Sequence, residues 1–141
     1  MANLIGENED ALYYNKMAED IRKAFNTKIF DPATKVYSTG SQTACSMPLF
    51  FGMVDDSVKR DVVGNLIKSI NENNKALTAG DVGYRYLLRA LEQEGQSQLI
   101  YEMNSKTDVP GYGYQLAKGA TALTESWAAL KYVSNNHMML G

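Results

Sequence analysis

Apolar residues recur at spacings of three and four along most of the chain, the pattern of helices that bury one face. The first such run predicts a helix that begins near Glu9 and Asp10, because carboxylates favour the positive end of the helix dipole. The expected buried face of this helix consists of Tyr14, Met17, Ala18, Ile21, Ala24 and Phe25. Residues 30–34, FDPAT, then predict a turn.

Two more helices are predicted before the middle of the chain. One runs from about Gln42 to Phe51, and Pro48 should kink it or end it early because proline lacks a backbone donor. The next is capped by Asp55 or Asp56 and ends in the polar run 71–75. The expected core positions of these two helices are Ala44, Met47, Leu49 and Phe50, then Val58, Val62, Leu66 and Ile70.

Two further helices follow. One begins after Gly80-Asp81 and closes at Gly95, a typical C-terminal cap, and Ser97 opens the other. Their expected core positions are Val82, Tyr86, Leu87, Ala90 and Leu91, then Leu99, Ile100 and Met103.

Residues 106–120 are rich in glycine and tyrosine, and the helical period is lost there, so this stretch is predicted to be irregular. A sixth helix is predicted from about Thr121 to Leu130. Strand signals are weak and limited to Lys35–Ser38 and Gly113–Leu116. About six helices with short connections predict an all-α fold of antiparallel helix pairs, as in a bundle, a solenoid or an α/α toroid.

Composition adds limits to this picture. Hydrophobic residues make up 45% of the 141 residues and charged residues 21%, which is enough for one packed domain over residues 1–141. The net charge of −2 argues against nucleic acid or an anionic membrane surface as a partner. The first ten residues lack the pattern of a secretory leader, no apolar run could span a bilayer, and the compartment stays open. Cys45 is the single cysteine, so no intrachain disulfide can form.

One region combines carboxylate, aromatic and amide side chains, the mixture that a sugar-cleaving site needs. It contains Tyr112, Tyr114, Gln115, Glu125, Trp127 and His137. Each member also has an ordinary structural interpretation. Composition alone favours a solvated helix face for the glutamate, a core position for the tryptophan and a surface or packing role for the histidine.

Other candidate chemistry is weak. Asp81 is explained by helix capping, and Asp108 precedes Val-Pro-Gly and is explained as a turn residue. One histidine and one cysteine do not make a zinc site, so neither a metal nor a cofactor is predicted.

Four segments, taken together and in order, resemble bacterial α-L-rhamnosidases. TGSQTACSMPLFFGMV at 39–54 is similar to their TGSQTANAMPL segment, and LTAGDVGYRYLLRAL at 77–91 to LTTGDVGYRYLL. TDVPGYGYQLAKGATALTESW at 107–127 is similar to PGYGYQL followed by GATTLWESW, and SNNHMMLG at 134–141 to NHFMLG. These segments cover the last two thirds of the chain.

The resemblance implies an (α/α)6 toroid of which this chain supplies the C-terminal part, about half. It also implies an inverting glycoside hydrolase that removes terminal α-L-rhamnose. Glu125 corresponds to the general base that activates water, and His137 to a contact with bound rhamnose. Tyr112, Tyr114, Gln115 and Trp127 are then expected to line the sugar site.

Two departures from the family pattern matter. The family's general acid lies in an earlier acidic motif that has no counterpart here, so we expect the chain alone to be inactive. Thr124 stands where the family often has tryptophan, which leaves the exact substrate open. The alternative is a non-catalytic helical module that binds carbohydrate or another protein. Half a toroid would expose apolar helix faces, so self-association is also predicted.

Overall fold

The structure is a computed structural model that describes residues 1–128. Within this range the chain is predominantly helical, as predicted. The helices are α1 (Ala2–Ile5), α2 (Asn8–Ile29), α3 (Gln42–Phe50), α4 (Asp56–Glu72), α5 (Asp81–Gln93), α6 (Ser97–Ser105) and α7 (Tyr112–Ala117). Strands β1 (Phe30–Asp31) and β2 (Val36–Tyr37) form a short antiparallel ribbon between α2 and α3.

Helix α3 is capped by the Ser41 hydroxyl, which accepts a hydrogen bond from the backbone N–H of Ala44 at 3.2 Å. The helix ends two residues after Pro48, close to the predicted end. Asp55 occupies the N-cap position of α4, as predicted, but its carboxylate pairs with Arg22 of α2 at 2.5 Å instead of capping the helix. This ion pair ties α2 to the start of α4.

The core lies between α3, α4, α5 and α6. Val62, Leu66 and Ile70 repeat at intervals of four on α4 and are fully or almost fully buried, as their spacing predicted. Val82 was assigned to the core of α5 and is 56% exposed, because it lies in the first turn of the helix, away from the buried face. Gly95 takes a left-handed conformation after α5, and the Gln96 N–H returns to the Leu91 carbonyl at 2.8 Å, so the predicted cap is confirmed.

The ribbon packs against the end of α2. Phe30 pairs with Tyr37, as the weak strand signal at 35–38 indicated, and the ring of Tyr37 is fully buried against Phe25. The Tyr37 hydroxyl donates to Asn26 Oδ1 at 2.5 Å. Asp31 closes the connecting turn by accepting from the Ala33 N–H at 2.8 Å.

The apolar face of α2 is mostly open to solvent. Tyr14 is 59% exposed and Ile21 56%, and only Ala11 of this helix is buried. The helix itself was predicted correctly. The expectation that this face belongs to the core is correct only for Phe25, which packs against Tyr37, and the other five predicted positions are exposed.

The sequence interpretation failed on both sides of residue 120. Residues 112–117 form helix α7, although this segment was predicted to be irregular, with a strand signal at Gly113–Leu116. The helix predicted from about Thr121 is absent from the described residues 121–128. Gly113 explains the first error, since a Cβ atom there would lie 2.8 Å from the Ser105 carbonyl oxygen. Close packing on the end of α6 therefore outweighs the low helix propensity of glycine.

None of the helices within residues 1–128 combines the length and the hydropathy that crossing a bilayer requires.

Candidate functional site

A cavity of about 590 Å³ lies where three connections meet at the ends of the helices. The connection from α4 to α5 contributes residues 77–80 and Asp81, the connection from α6 to α7 contributes Pro110, and the segment after α7 contributes residues 125–128. The backbone N–H of Leu77 donates to the Pro110 carbonyl at 2.8 Å, which joins the first two walls.

Glu125 lines this cavity and is solvent-exposed. Glu125 lies in a segment without helical structure. The sequence-based interpretation of this residue as part of a solvated helix face is therefore wrong, and it does not occupy a buried helix position either. Its neighbours on both sides are less accessible: Thr124 is 2% exposed, and Ser126 is half-buried. The carboxylate is therefore presented to the cavity by a segment that is anchored on either side of it.

Gln115 of α7 provides part of that anchor. Its side chain is 3% exposed, and its Nε2 donates to Thr124 Oγ1 at 2.8 Å and to the Ser126 carbonyl at 3.4 Å. The Thr124 hydroxyl in turn donates to the same Ser126 carbonyl at 2.7 Å. A buried amide that finds partners in this way avoids the cost of an unsatisfied polar group.

Trp127 joins the segment to the opposite wall. It is 6% exposed, and its indole N–H donates to the Ala79 carbonyl at 2.7 Å. Its ring meets Tyr84 and Tyr112 edge-on, at centroid distances of 4.8 and 5.1 Å. Burial raises the pKa of the Tyr84 and Tyr112 hydroxyls above the ordinary value for tyrosine.

Gln42, at the start of α3, holds the wall formed by residues 77–80. Its side chain is 2% exposed; Nε2 donates to the Ala76 carbonyl at 2.8 Å, and Oε1 accepts from the N–H groups of Thr78 and Ala79 at 2.9 and 3.1 Å. Sequence analysis did not single out this residue. A glutamine in the first turn of an otherwise apolar helix was the available signal.

Only some of the site residues predicted from the sequence line the cavity. Glu125 and Trp127 line the cavity, and Tyr112 reaches it only through its contact with Trp127. Gln115 lies in the buried network behind the wall, and the Tyr114 ring lies under Lys118, whose Nζ is 5.4 Å from the ring centroid. His137 lies outside the described residues. Asp81, interpreted from sequence as a cap, lines the cavity from the first turn of α5, and Gly80 occupies the N-cap position.

Residues 1–128 contain no group of three histidine, cysteine, aspartate or glutamate side chains that could hold a metal ion. The side chains that line the cavity include the carboxylates of Asp81 and Glu125 and the indole of Trp127.

The described residues thus form a helical protein with a cavity on the connections between its helices. A family model described as the bacterial alpha-L-rhamnosidase 6 hairpin glycosidase domain matches residues 1–141, the whole chain. The chain belongs to this family.

Curated relatives agree with the assignment. The chain is 25% identical over 126 residues to the alpha-L-rhamnosidase of Formosa agariphila. This alignment covers 89% of this chain and 14% of the Formosa protein. It is 30% identical over 124 residues to the alpha-L-rhamnosidase of an Alteromonas species. That alignment covers 87% of this chain and 14% of the Alteromonas protein. The chain thus spans about one seventh of the length of these relatives.

Solved structures confirm the fold. The alpha-L-rhamnosidase from Dictyoglumus thermophilum is similar over 99% of this chain and 16% of its own, with a TM-score of 0.90 and 32% identity. The Streptomyces avermitilis alpha-L-rhamnosidase, solved in complex with L-rhamnose, gives a TM-score of 0.89 at 25% identity over 99% of this chain and 14% of its own. The prediction of antiparallel helix pairs forming part of an (α/α)6 toroid is confirmed.

Proposed function

We propose that this chain is the C-terminal part of the catalytic barrel of an inverting glycoside hydrolase that removes terminal α-L-rhamnose from glycosides or polysaccharides. In this proposal residues 1–141 form one domain, and Glu125 is the general base that activates the attacking water. The observation that carries it is the position of Glu125 on the cavity, within a chain that a rhamnosidase family model matches from end to end.

The arrangement around Glu125 fits that role. A general base must reach a water molecule on one face of the sugar, and Glu125 is exposed on a cavity large enough for a monosaccharide. Trp127 supplies an apolar edge in the same wall. Tyr112, Tyr114, Gln115 and His137 are proposed to complete the sugar site in the assembled barrel, either by contact or by supporting residues that make contact.

In the inverting mechanism two carboxyl groups stand about 6.5–9.5 Å apart, with the water between the base and the sugar. The second group, the general acid, is proposed to come from the rest of the barrel. General acid–base assistance contributes about 10²–10⁴-fold to such reactions. We therefore expect the isolated chain to show negligible hydrolysis of an aryl α-L-rhamnoside.

The test uses the Dictyoglumus thermophilum enzyme, in which the residue aligned with Glu125, which the resemblance implies to be glutamate, is changed to glutamine. Turnover should fall by about 10²–10⁴-fold, because the amide cannot accept the proton of water. Rhamnose affinity, measured by calorimetry, should stay close to that of the unchanged enzyme, because glutamine keeps the shape of the side chain.

Two results would contradict the proposal. Near-normal turnover of the glutamine variant would exclude a general base at this position. Substantial hydrolysis by the isolated chain would place a general acid inside it, and Asp81 would be the first carboxylate to test, since it shares the cavity with Glu125.

A further inference from the structure

We propose that Gln115 and Thr124 form a positioning device that fixes Glu125 against the cavity. This inference rests on the proposed function of Glu125 as the base. The two residues lie nine positions apart, on α7 and on the segment after it, and both side chains are almost completely buried. Neither lines the cavity, so their effect on the chemistry is exerted through the backbone on either side of Glu125.

The need for such a device follows from the local structure. Residues 121–128 contain no helix, so this segment lacks the regular backbone hydrogen bonds of a helix. A general base must nevertheless keep a geometry that is accurate to a fraction of an ångström, since a misplacement of 1 Å can cost about 10²-fold in rate. Side-chain hydrogen bonds from a rigid neighbour can supply the missing order.

The hydrogen bonds provide that order on both sides of the glutamate. Gln115 Nε2 donates to the side chain of Thr124 at 2.8 Å, and the Thr124 hydroxyl donates to the Ser126 carbonyl at 2.7 Å. Thr124 is 2% exposed, whereas Glu125 is exposed. Holding Thr124 inward therefore turns the carboxylate of Glu125 outward, toward the cavity.

Gln115 lies on α7, a helix that packs tightly against the end of α6. Gly113 brings α7 so close to the end of α6 that a Cβ atom would lie 2.8 Å from the Ser105 carbonyl oxygen. Gln115 follows two residues later in α7, and its backbone N–H donates to the Gly111 carbonyl at 3.1 Å. The packing of α7 on α6 and the hydrogen bonds of the buried Gln115 amide therefore fix the positions of Thr124 and Ser126, the two residues that flank Glu125.

Thr124 is suited to this task by its hydroxyl group. A hydroxyl can accept one hydrogen bond and donate another, so Thr124 accepts from Gln115 and donates to the Ser126 carbonyl at the same time.

The experiment measures backbone ¹⁵N order parameters on the full chain, in the variants Thr124→Val, Gln115→Met and Thr124→Ser. Valine keeps the shape of threonine without the hydroxyl, and methionine keeps the length of glutamine without the amide. We expect the order parameter at Glu125 to fall from about 0.85 to below about 0.6 in both of these variants. Serine keeps the hydroxyl and should retain the value of the unchanged chain.

Matched controls separate positioning from general loss of structure. Gln96→Met removes an amide that donates to the Glu94 carbonyl, and Thr27→Val removes a hydroxyl that donates to the Lys23 carbonyl, both away from the cavity. Neither should change the order at Glu125. In Thr124→Val and Gln115→Met, the order parameters of α4 and α5 should stay at the values of a rigid backbone.

An unchanged order parameter at Glu125 in Thr124→Val and Gln115→Met would overturn the inference, and so would an equal loss in Thr124→Ser. These measurements need no catalytic activity. Failure of the base assignment would show instead in the kinetics of the glutamine variant of the Dictyoglumus enzyme, so the two failures can be told apart.

Discussion

At the scale of single residues, the buried polar side chains do most to define the site. Gln42 and Gln115 are both nearly inaccessible, and both use their amides to hold backbone that lies outside helices. Leaving one such group without partners costs about 1–3 kcal/mol, so each residue fixes its loop strongly. The two walls of the cavity are thus shaped by side chains that do not line it.

Tyr37 predicts an alkaline limit to stability. Burial, with a smaller effect from the Asp55 carboxylate, raises the pKa of its hydroxyl from about 10 to about 12. The folded chain therefore binds this proton more tightly than the unfolded chain does, and the contribution is complete below pH 10 and lost as pH rises toward 12. Over that window the free energy of unfolding should fall by up to about 1.4 kcal/mol per pH unit for this group.

Urea unfolding of Tyr37→Phe at several pH values checks this expectation. The variant should be less stable at neutral pH, because the hydrogen bond to Asn26 is lost. Its stability should then decline less steeply between pH 10 and 12 than that of the unchanged chain. Tyr84, Tyr112 and Cys45 contribute to the remaining slope, since burial raises their pKa values as well. Equal slopes in the two proteins would rule out the contribution of Tyr37.

At the scale of elements, helices α3 and α5 pack tightly against each other in the core. Gly83 of α5 faces Thr43 of α3, and a Cβ atom on Gly83 would overlap the Thr43 hydroxyl and lie 2.9 Å from its methyl carbon. Gly83 is buried, so the helices have no room to relax outward without disturbing the core.

Gly83→Ala should therefore destabilise the fold by roughly 1–3 kcal/mol, the usual cost of overpacking. Gly64→Ala is the matched control: Gly64 lies within α4 with no neighbour within 4 Å of its Cβ position, so alanine there should add roughly 0.5–1 kcal/mol. Adding Thr43→Ala to Gly83→Ala should recover part of the loss. Denaturant unfolding of the three variants measures these differences, and a neutral Gly83→Ala would show that the helices can move apart.

The sequence predicted some of these elements well and others poorly, for physical reasons that differ along the chain. Helices α3 to α6 were predicted correctly because each buries one face in the core. The apolar residues of that face recur at helical spacing in the sequence. Helix α7 was missed because its content of glycine and tyrosine serves contacts with α6 and Trp127, which no local period reveals. The helix predicted from Thr121 is absent from residues 121–128. There the side chains of Thr124 and Trp127 form hydrogen bonds with Gln115 and with the Ala79 carbonyl, which lie outside this segment.

The same contrast holds for the cavity. Glu125 and Trp127 could be singled out from the sequence because a carboxylate beside the only tryptophan is a chemical signal. The wall formed by residues 77–80 could not, since its shape depends on Gln42, 34 or more residues away along the chain. The catalytic role assigned to Glu125 and the sugar-binding roles assigned to Trp127, Tyr112, Tyr114, Gln115 and His137 stay predictions.

At the scale of the whole molecule, the exposed face of α2 stands out. Tyr13 and Ile21 are 60 and 56% exposed, and a shallow groove of about 470 Å³ runs along this face beside Met17. Soluble monomers rarely leave extended apolar surface uncovered. The face is where another part of a toroid, or a second copy of the chain, could pack.

We expect the chain to self-associate through this face. The double variant Met17→Glu/Ile21→Glu places two carboxylates on it and should shift the sedimentation coefficient to that of a monomer, because burying the charges would be costly. Leu116→Glu changes an exposed apolar residue on α7 and should leave the association intact. A monomer at the highest soluble concentration of the unchanged chain would contradict this prediction.

The bond from Trp127 to Ala79 has a practical consequence. Trp127 is the single tryptophan of the chain, so its ultraviolet emission reports one location. That location is the seam between two walls of the cavity, with the rings of Tyr84 and Tyr112 within 4.8 and 5.1 Å, close enough to pass excitation energy to the indole. Fluorescence therefore follows the opening and closing of this seam and is largely blind to α2. The chain carries its own optical probe of whether the cavity has been assembled.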